Sequence, residues 1–87
     1  MSLLDTINNF YEHLVADAVE KSRQPEDSED LLSDIMCVAL NRLPSRYYRH
    51  KIDMMFYLPD QELQEMDQKV AKAVAEARVF VVSHQRE

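Results

Sequence analysis

Glycine is absent from this chain of 87 residues. The Gly-rich phosphate loops of the P-loop and Rossmann folds need positive backbone φ angles, or close approach of a phosphate to a bare Cα. The sequence therefore excludes those two classes of nucleotide-binding site. Any bound anion must be held by side chains or by helix N-termini.

Cysteine and long apolar runs are also scarce. Cys37 is the only cysteine, so the chain can form neither an intramolecular disulfide nor a cysteine-rich metal cluster. We expect its thiol to be a small buried apolar group. No window approaches the roughly 18 uncharged residues of a membrane span, and no basic segment precedes an apolar one as in a signal peptide. These features predict a cytoplasmic protein that does not enter a membrane.

The residue types that carry catalysis or bind metals are scattered. His13, His50 and His84 lie far apart in the sequence, and no set of His, Cys, Asp and Glu has the spacing of a metal site. No nucleophile lies beside a base, and no carboxylate pair stands out from the acids on the solvent faces of helices. We expect no enzyme activity, no metal and no cofactor.

Two amphipathic helices are predicted in the first half of the chain. The first has an apolar stripe from Leu3 to near Lys21, with Ser2 and Asp5 as a capping box. A polar loop follows, and residues 31–40 then form a helix that is apolar on nearly all sides, which predicts a place at the centre of the core. Asp27 or Ser28 can cap this second helix, and Pro44 ends it.

The second half predicts a long final helix. Asp60 is its N-cap, its apolar stripe extends to Val81, and the β-branched residues 79–82 continue the stripe without a turn signal. Residues 52–59 fit a short buried helix, an extended segment or a short strand. The fold class is therefore all-α, one small domain over residues 1–87 with three to five helices. Because the last helix is apolar over a wide arc, we expect a homodimer.

Positive charge is concentrated in "LNRLPSRYYRHK", residues 40–51, which we name the basic turn. Four of the ten Lys and Arg residues lie there, although the formal net charge of the chain is −6. Residues 1–40 carry −7, residues 41–51 carry +4 and residues 52–87 carry −3. A duplex nucleic acid would be repelled by most of this surface, whereas a compact ligand with a few negative charges fits one local patch.

The side chains of the basic turn suit a nucleotide. An arginine fork can chelate a phosphate or a guanine edge, and a tyrosine ring can stack on a base. Arg42 also fits a purely structural role at the C-terminus of the second helix, where it complements the helix dipole. Of the adjacent Tyr47 and Tyr48, we expect one to cover the core and the other to face solvent.

Two segments resemble the late competence development protein ComFB family. "DIMCVALNRLPSRYY", residues 34–48, is similar to the family segment in which an apolar helix runs into an "ALNxLPPxY" signature. "NFYEHLVADAVE", residues 9–20, is similar to the opening helix of the family. The likeness covers roughly residues 8–75. Ser45 replaces the second proline of the signature, which loosens the turn slightly. The segment after Tyr48 lacks the glycine often found there, so the resemblance does not fix the local loop shape.

This resemblance implies a small, helical, dimeric bacterial protein without catalytic activity. Family members are receptors for cyclic di-GMP and in some cases cyclic di-AMP, linked to competence, motility, pili and cell size. A branch of the family has a cysteine cluster as a zinc site between the first two helices. Because this chain has "SRQPEDSED" there, that metal site does not transfer.

Two functions from different classes remain open at the level of sequence. In the first, the chain is a homodimeric cyclic dinucleotide receptor that relays the signal to an unknown downstream protein. In the second, it is a helical adaptor whose basic turn docks on an acidic protein surface without a small ligand. The ligand-binding residues predicted for the receptor are Asn41, Arg42, Arg46, Tyr47, Tyr48 and Arg49.

Overall fold

The computed structural model describes residues 2–84, most of which lie in four α-helices. The helices are α1 (Phe10–Ser22), α2 (Glu29–Arg42), α3 (Lys51–Tyr57) and α4 (Asp60–Ser83). A 3-10 helix (Leu3–Thr6) precedes α1, and β1 (Asn8–Asn9) pairs antiparallel with β2 (Tyr47–Tyr48). The predicted fold class, a small all-α domain of three to five helices, is confirmed.

The predicted start of the first helix at Leu3 is wrong. The capping box of Ser2 and Asp5 is present, but it caps only the 3-10 helix, and α1 begins at Phe10. Asn9 is extended, and its side chain accepts a hydrogen bond from the amide of Tyr11 at 3.2 Å. A short asparagine side chain competes with the helix for backbone donors, so it ends one element and caps the next.

The core lies between α1, α2 and α4, which contact one another. Val15 on α1 and Ile35 on α2 are the largest fully buried side chains, and α4 buries a stripe from Met66 to Val81. As expected, α2 contacts both other long helices. It is not apolar all round, however, and the expectation that Cys37 is buried is wrong. Cys37 lies two residues from the inward-facing Ile35, on the opposite side of the helix.

The loop between α1 and α2 is tied to α4 by an ion pair. Ser28 caps α2, its side chain accepting from the amide of Leu31 at 3.1 Å. The carboxylate of the buried Asp27 instead accepts two hydrogen bonds from Arg78, at 2.6 and 3.1 Å, and one from the amide of Gln24 at 2.8 Å. The Arg78 guanidinium, with the Gln24 amide, lowers the pKa of Asp27 from 3.8 to about 2.

The ambiguous segment before α4 is the short helix α3. It is largely exposed, since only Met54 of its residues is buried, so the buried form of the predicted helix is not observed. Pro59 is the N-cap residue of α4 and Asp60 its first helical residue, one position from the prediction. Residues 79–82 are helical, as predicted. No helix within residues 2–84 is long and apolar enough to cross a membrane.

Candidate functional site

The backbone of the basic turn is anchored on the start of α1. The side-chain oxygen of Asn9 accepts a hydrogen bond from the amide of Arg46 at 2.8 Å, and the amide of Phe10 donates to the Arg46 carbonyl at 2.8 Å. The antiparallel pairing of β1 with β2 continues this contact through two residue pairs, Asn9 with Tyr47 and Asn8 with Tyr48. The β2 part of the turn, Tyr47–Tyr48, is therefore held extended, and its two side chains point to opposite sides.

The two tyrosines of β2 point in different directions. Tyr47 is 60% exposed, whereas Tyr48 is half-buried against the core. The Tyr48 hydroxyl lies 3.0 Å from Nε2 of His13, and its ring meets Phe10 edge to face at 6.1 Å between centroids. The prediction that one tyrosine covers the core while the other faces solvent is confirmed, and Tyr47 is the one available to a ligand.

Two of the three arginines in the turn have intramolecular partners. Arg46 donates from Nη1 to Oε1 of Glu62, near the start of α4, at 2.9 Å. The guanidinium of Arg42 lies 5.1 Å from the ring centroid of Phe80, a cation–π contact. Arg42 is also in the last turn of α2, where its charge complements the helix dipole. Both side chains therefore have structural roles before any ligand arrives.

Arg49 is the exposed arginine of the turn that remains available. Within residues 2–84 no carboxylate oxygen lies within 4.0 Å of its guanidinium. It lines a shallow groove of ≈ 560 Å³ between β2 and α3, which we name the β2–α3 groove. The groove brings together four of the predicted site residues, Arg46, Tyr47, Tyr48 and Arg49.

The other two predicted residues do not line this groove. Asn41 is exposed on the last turn of α2. Arg42 lies beside Phe80 and Val79, in a separate depression along the C-terminal half of α4. The structure thus separates the predicted site into a cluster at β2 and a cluster at the end of α2.

The β2–α3 groove includes three residues that sequence reasoning missed, Asp53, Met54 and Tyr57. His50, whose place in the site the sequence left open, also lines the groove. Asp53 and Tyr57 are four residues apart and share one face of α3. That spacing becomes a signal only once residues 51–57 are known to be helical, and their apolar composition did not decide this.

A second cleft lies on the other side of Arg46, with a volume of ≈ 540 Å³. Glu62 and Glu65 of α4 line it together with Lys69 and Tyr11. Burial raises the pKa of Tyr11, partly offset by the charge of Arg46, so its phenol stays protonated at neutral pH. With two acids on its wall, this cleft is a poorer place for an anion than the β2–α3 groove.

A comparison with known protein families identifies the family of this chain. The family model of the late competence development protein ComFB matches residues 8–85, nearly the whole chain. The chain belongs to the ComFB family. No curated protein and no solved structure matches it. ComFB membership suggests a competence-related role, and the matched range contains both Asn9 and the whole basic turn.

Within residues 2–84, no three His, Cys, Asp or Glu side chains are placed to hold a metal ion. In the loop between α1 and α2, the carboxylate of Asp27 binds Arg78.

Proposed function

We propose that this ComFB protein is a non-catalytic receptor for a cyclic dinucleotide, bound in the β2–α3 groove. One observation carries the proposal: the exposed Tyr47, the exposed Tyr57 and the available Arg49 line the same groove. Tyrosine rings stack on bases, and an arginine fork binds a phosphate or the O6/N7 edge of guanine. These are the two kinds of contact that a cyclic dinucleotide offers.

Charge and size support a compact ligand. The basic turn carries four cationic side chains in a chain of net charge −6, so attraction of an anion is strongest there. The groove volume of ≈ 560 Å³ lies within the range of about 300–1,000 Å³ typical of small-molecule sites. A ligand phosphate can also compete with Glu62 for Arg46, which is half-exposed in its ion pair.

A homodimer is part of the proposal. A cyclic dinucleotide with two identical halves has two-fold symmetry, which a two-fold symmetric dimer can match. Val79, Phe80 and Val82 of α4 are 69%, 41% and 49% exposed, and burying such residues against a second copy would stabilise a small domain. In this proposal, ligand binding changes the surface presented to a downstream protein of competence, motility or pilus function. A receptor for an intracellular second messenger also acts in the cytoplasm.

Titration calorimetry with cyclic di-GMP and cyclic di-AMP tests the proposal. We expect Tyr47→Ala and Arg49→Ala each to weaken binding by about tenfold or more, because stacking on an aromatic ring contributes about 1–3 kcal/mol per base. Lys51→Ala is the matched control, since it removes the same charge from an exposed position of the basic turn that does not line the groove.

A thermal shift gives a second readout of the same proposal. A ligand at about 100 times its dissociation constant stabilises the folded protein by about 2.7 kcal/mol. Absence of both heat and thermal shift with either nucleotide at high micromolar concentration would end the receptor proposal.

An adaptor function is the second candidate, and the surface of α3 favours it. Ile52 and Phe56 are 83% and 81% exposed, with Met55 at 43% beside them. Exposed apolar groups on one short helix are typical of protein-binding surfaces. If Arg46→Ala and Phe56→Ala both abolish capture of a purified protein partner, and neither nucleotide competes with that partner, the adaptor function is supported over the receptor.

A further inference from the structure

We infer that the β2–α3 groove selects guanine over adenine and that Asp53 is the residue that makes the selection. This inference rests on the proposed function, because it names the base recognised at the same site. Two of the residues that it depends on, Asp53 and Tyr57, lie outside the basic turn, and the family signature contains neither of them.

The first observation is the placement of Asp53. It lies in the first turn of α3, one helical turn before Tyr57, and both side chains line the groove together with Arg49. A base stacked on the Tyr57 ring can therefore present an edge to the Asp53 carboxylate or to the Arg49 guanidinium within the same groove.

The second observation is that these opposite charges do not neutralise each other. Arg46, Arg49 and His50 are the basic side chains that share the groove with Asp53, and its other titratable groups are the phenols of Tyr47, Tyr48 and Tyr57. None of these basic side chains lies within 4.0 Å of the Asp53 carboxylate in the described chain, where Arg23, Arg46 and Arg78 are all paired with acids. The carboxylate thus keeps its acceptor positions open toward the groove.

The chemistry of an ionised carboxylate distinguishes the two purines. It only accepts hydrogen bonds, and the Watson–Crick edge of guanine presents two adjacent donors, N1–H and the N2 amino group. The same edge of adenine presents a donor at N6 but an acceptor at N1, whose lone pair would face a carboxylate oxygen. Asp53 can therefore accept two parallel bonds from guanine, while Arg49 can donate to O6 and N7 of a guanine presented by its other edge.

The size of the preference follows from the openness of the groove. A buried site that hydrogen-bonds its ligand rejects an analogue without the matching group very strongly. This groove is shallow and Asp53 is exposed, so water can solvate an unsatisfied carboxylate. We expect a preference for guanine of about tenfold to a hundredfold.

The test compares cyclic di-GMP, cyclic di-IMP and cyclic di-AMP by titration calorimetry. Inosine keeps N1–H and O6 of guanine but lacks the N2 amino group. We expect the wild-type chain to bind the three in that order of decreasing affinity. Asp53→Asn, whose amide both donates and accepts, should bring the affinities for cyclic di-GMP and cyclic di-AMP to within about threefold. Asp60→Asn, an exposed acid outside the groove, should leave the order unchanged.

The outcomes distinguish a failure of this inference from a failure of the proposed receptor function. If the wild-type chain binds cyclic dinucleotides without preference or prefers adenine, or if Asp53→Asn keeps the wild-type preference, the selection by Asp53 is overturned while the receptor stands. If the wild-type chain binds none of the three ligands, the receptor proposal fails and the inference fails with it. Equal melting temperatures of the ligand-free wild type and Asp53→Asn would show that the variant is folded.

Discussion

The side-chain oxygen of Asn9 accepts a hydrogen bond from the backbone amide of Arg46 at 2.8 Å and another from Tyr11 at 3.2 Å. One side chain therefore caps α1 and holds the start of β2 against it. Because both strands contain only two residues, their pairing alone is a weak restraint. Asn9 is accordingly a positioning residue for the β2–α3 groove.

Replacing Asn9 should lower the stability of the fold. Asn9→Ala removes the cap and leaves the half-buried amide of Arg46 without its acceptor, which we expect to cost about 1–3 kcal/mol in urea denaturation. Asn9→Asp keeps the accepting oxygen and should recover most of that loss. Asn8→Ala, the same change at the exposed neighbouring position, serves as control. Equal stabilities of Asn9→Ala and Asn8→Ala would contradict the role given to Asn9.

The ion pair of Arg46 with Glu62 should compete with ligand binding. Glu62→Gln releases the Arg46 guanidinium, so we expect the affinity for a bound cyclic dinucleotide to rise several-fold in titration calorimetry. Stability should change by less than about 1 kcal/mol, since the pair is partly exposed. Glu65→Gln removes the same charge from the same cleft but leaves the pair intact. If the two variants bind the ligand equally well, direct competition by Glu62 is excluded.

The ion pair of Asp27 with Arg78 should make stability depend on pH. The pKa of Asp27 is about 2 in the folded chain, lowered from 3.8, so the unfolded chain binds the proton more readily. The contribution of the pair is complete above about pH 5 and is lost as the pH falls through about 4 toward 2. Asp27→Asn should therefore lower the melting temperature at pH 7, and its difference from wild type should shrink in acid.

The control for that prediction is Asp17→Asn, which changes an exposed acid on α1. Its melting temperature should follow that of the wild type at every pH. A difference between Asp27→Asn and wild type that stays constant from pH 7 to pH 2 would show that the pair does not carry the pH dependence.

Alanine substitutions at two isoleucines test which side chains form the core. Ile35 is 1% exposed and Ile52 is 83% exposed. We expect Ile35→Ala to destabilise the fold by about 2–5 kcal/mol, because it removes buried methyl groups and leaves a cavity. Ile52→Ala should change the free energy of unfolding by less than about 0.5 kcal/mol. If Ile52→Ala greatly lowers the free energy of unfolding at micromolar concentration and this loss disappears on dilution, α3 is covered by another copy of the chain.

Sedimentation measurements should detect the proposed dimer and its dependence on α4. We expect a dimer mass at micromolar concentration for the wild type and a monomer mass for Val79→Lys, because the lysine would place a charge among exposed apolar side chains. Gln68→Lys adds the same charge to an exposed polar position of the same helix and should remain dimeric. A monomer mass for the wild type would refute the dimer.

Local sequence patterns were sufficient to predict most of the helical structure. The apolar stripe from Met66 to Val81 defined α4 and its buried face, and Ser28 and Pro44 delimit α2 as predicted. The start of α1 was mispredicted because Leu3, Leu4 and Ile7 fit the stripe although all are exposed. Periodicity records where apolar residues recur, but it does not record whether another element is present to cover them.

The candidate site was predicted only in part. Charge concentration and the ComFB signature located the basic turn, and adjacency in an extended segment separated Tyr47 from Tyr48. Asp53 and Tyr57 line the groove only because residues 51–57 are helical. Neither the hydrophobic pattern nor the turn residues of the sequence predicted that conformation. The partners that occupy Arg42 and Arg46, Phe80 and Glu62, lie on α4, and no local pattern points to them.

The sequence by itself determined the all-α class, the ComFB family, the exclusion of Gly-rich phosphate loops and the position of the positive charge. These follow from composition and from patterns within one helical turn or one short motif. Only the tertiary structure decided that Arg49, and not Arg42 or Arg46, is available, and that Asn9 anchors the turn. Such assignments depend on pairs such as Asn9 and Arg46, which are 37 residues apart in the chain and meet only when the helices pack.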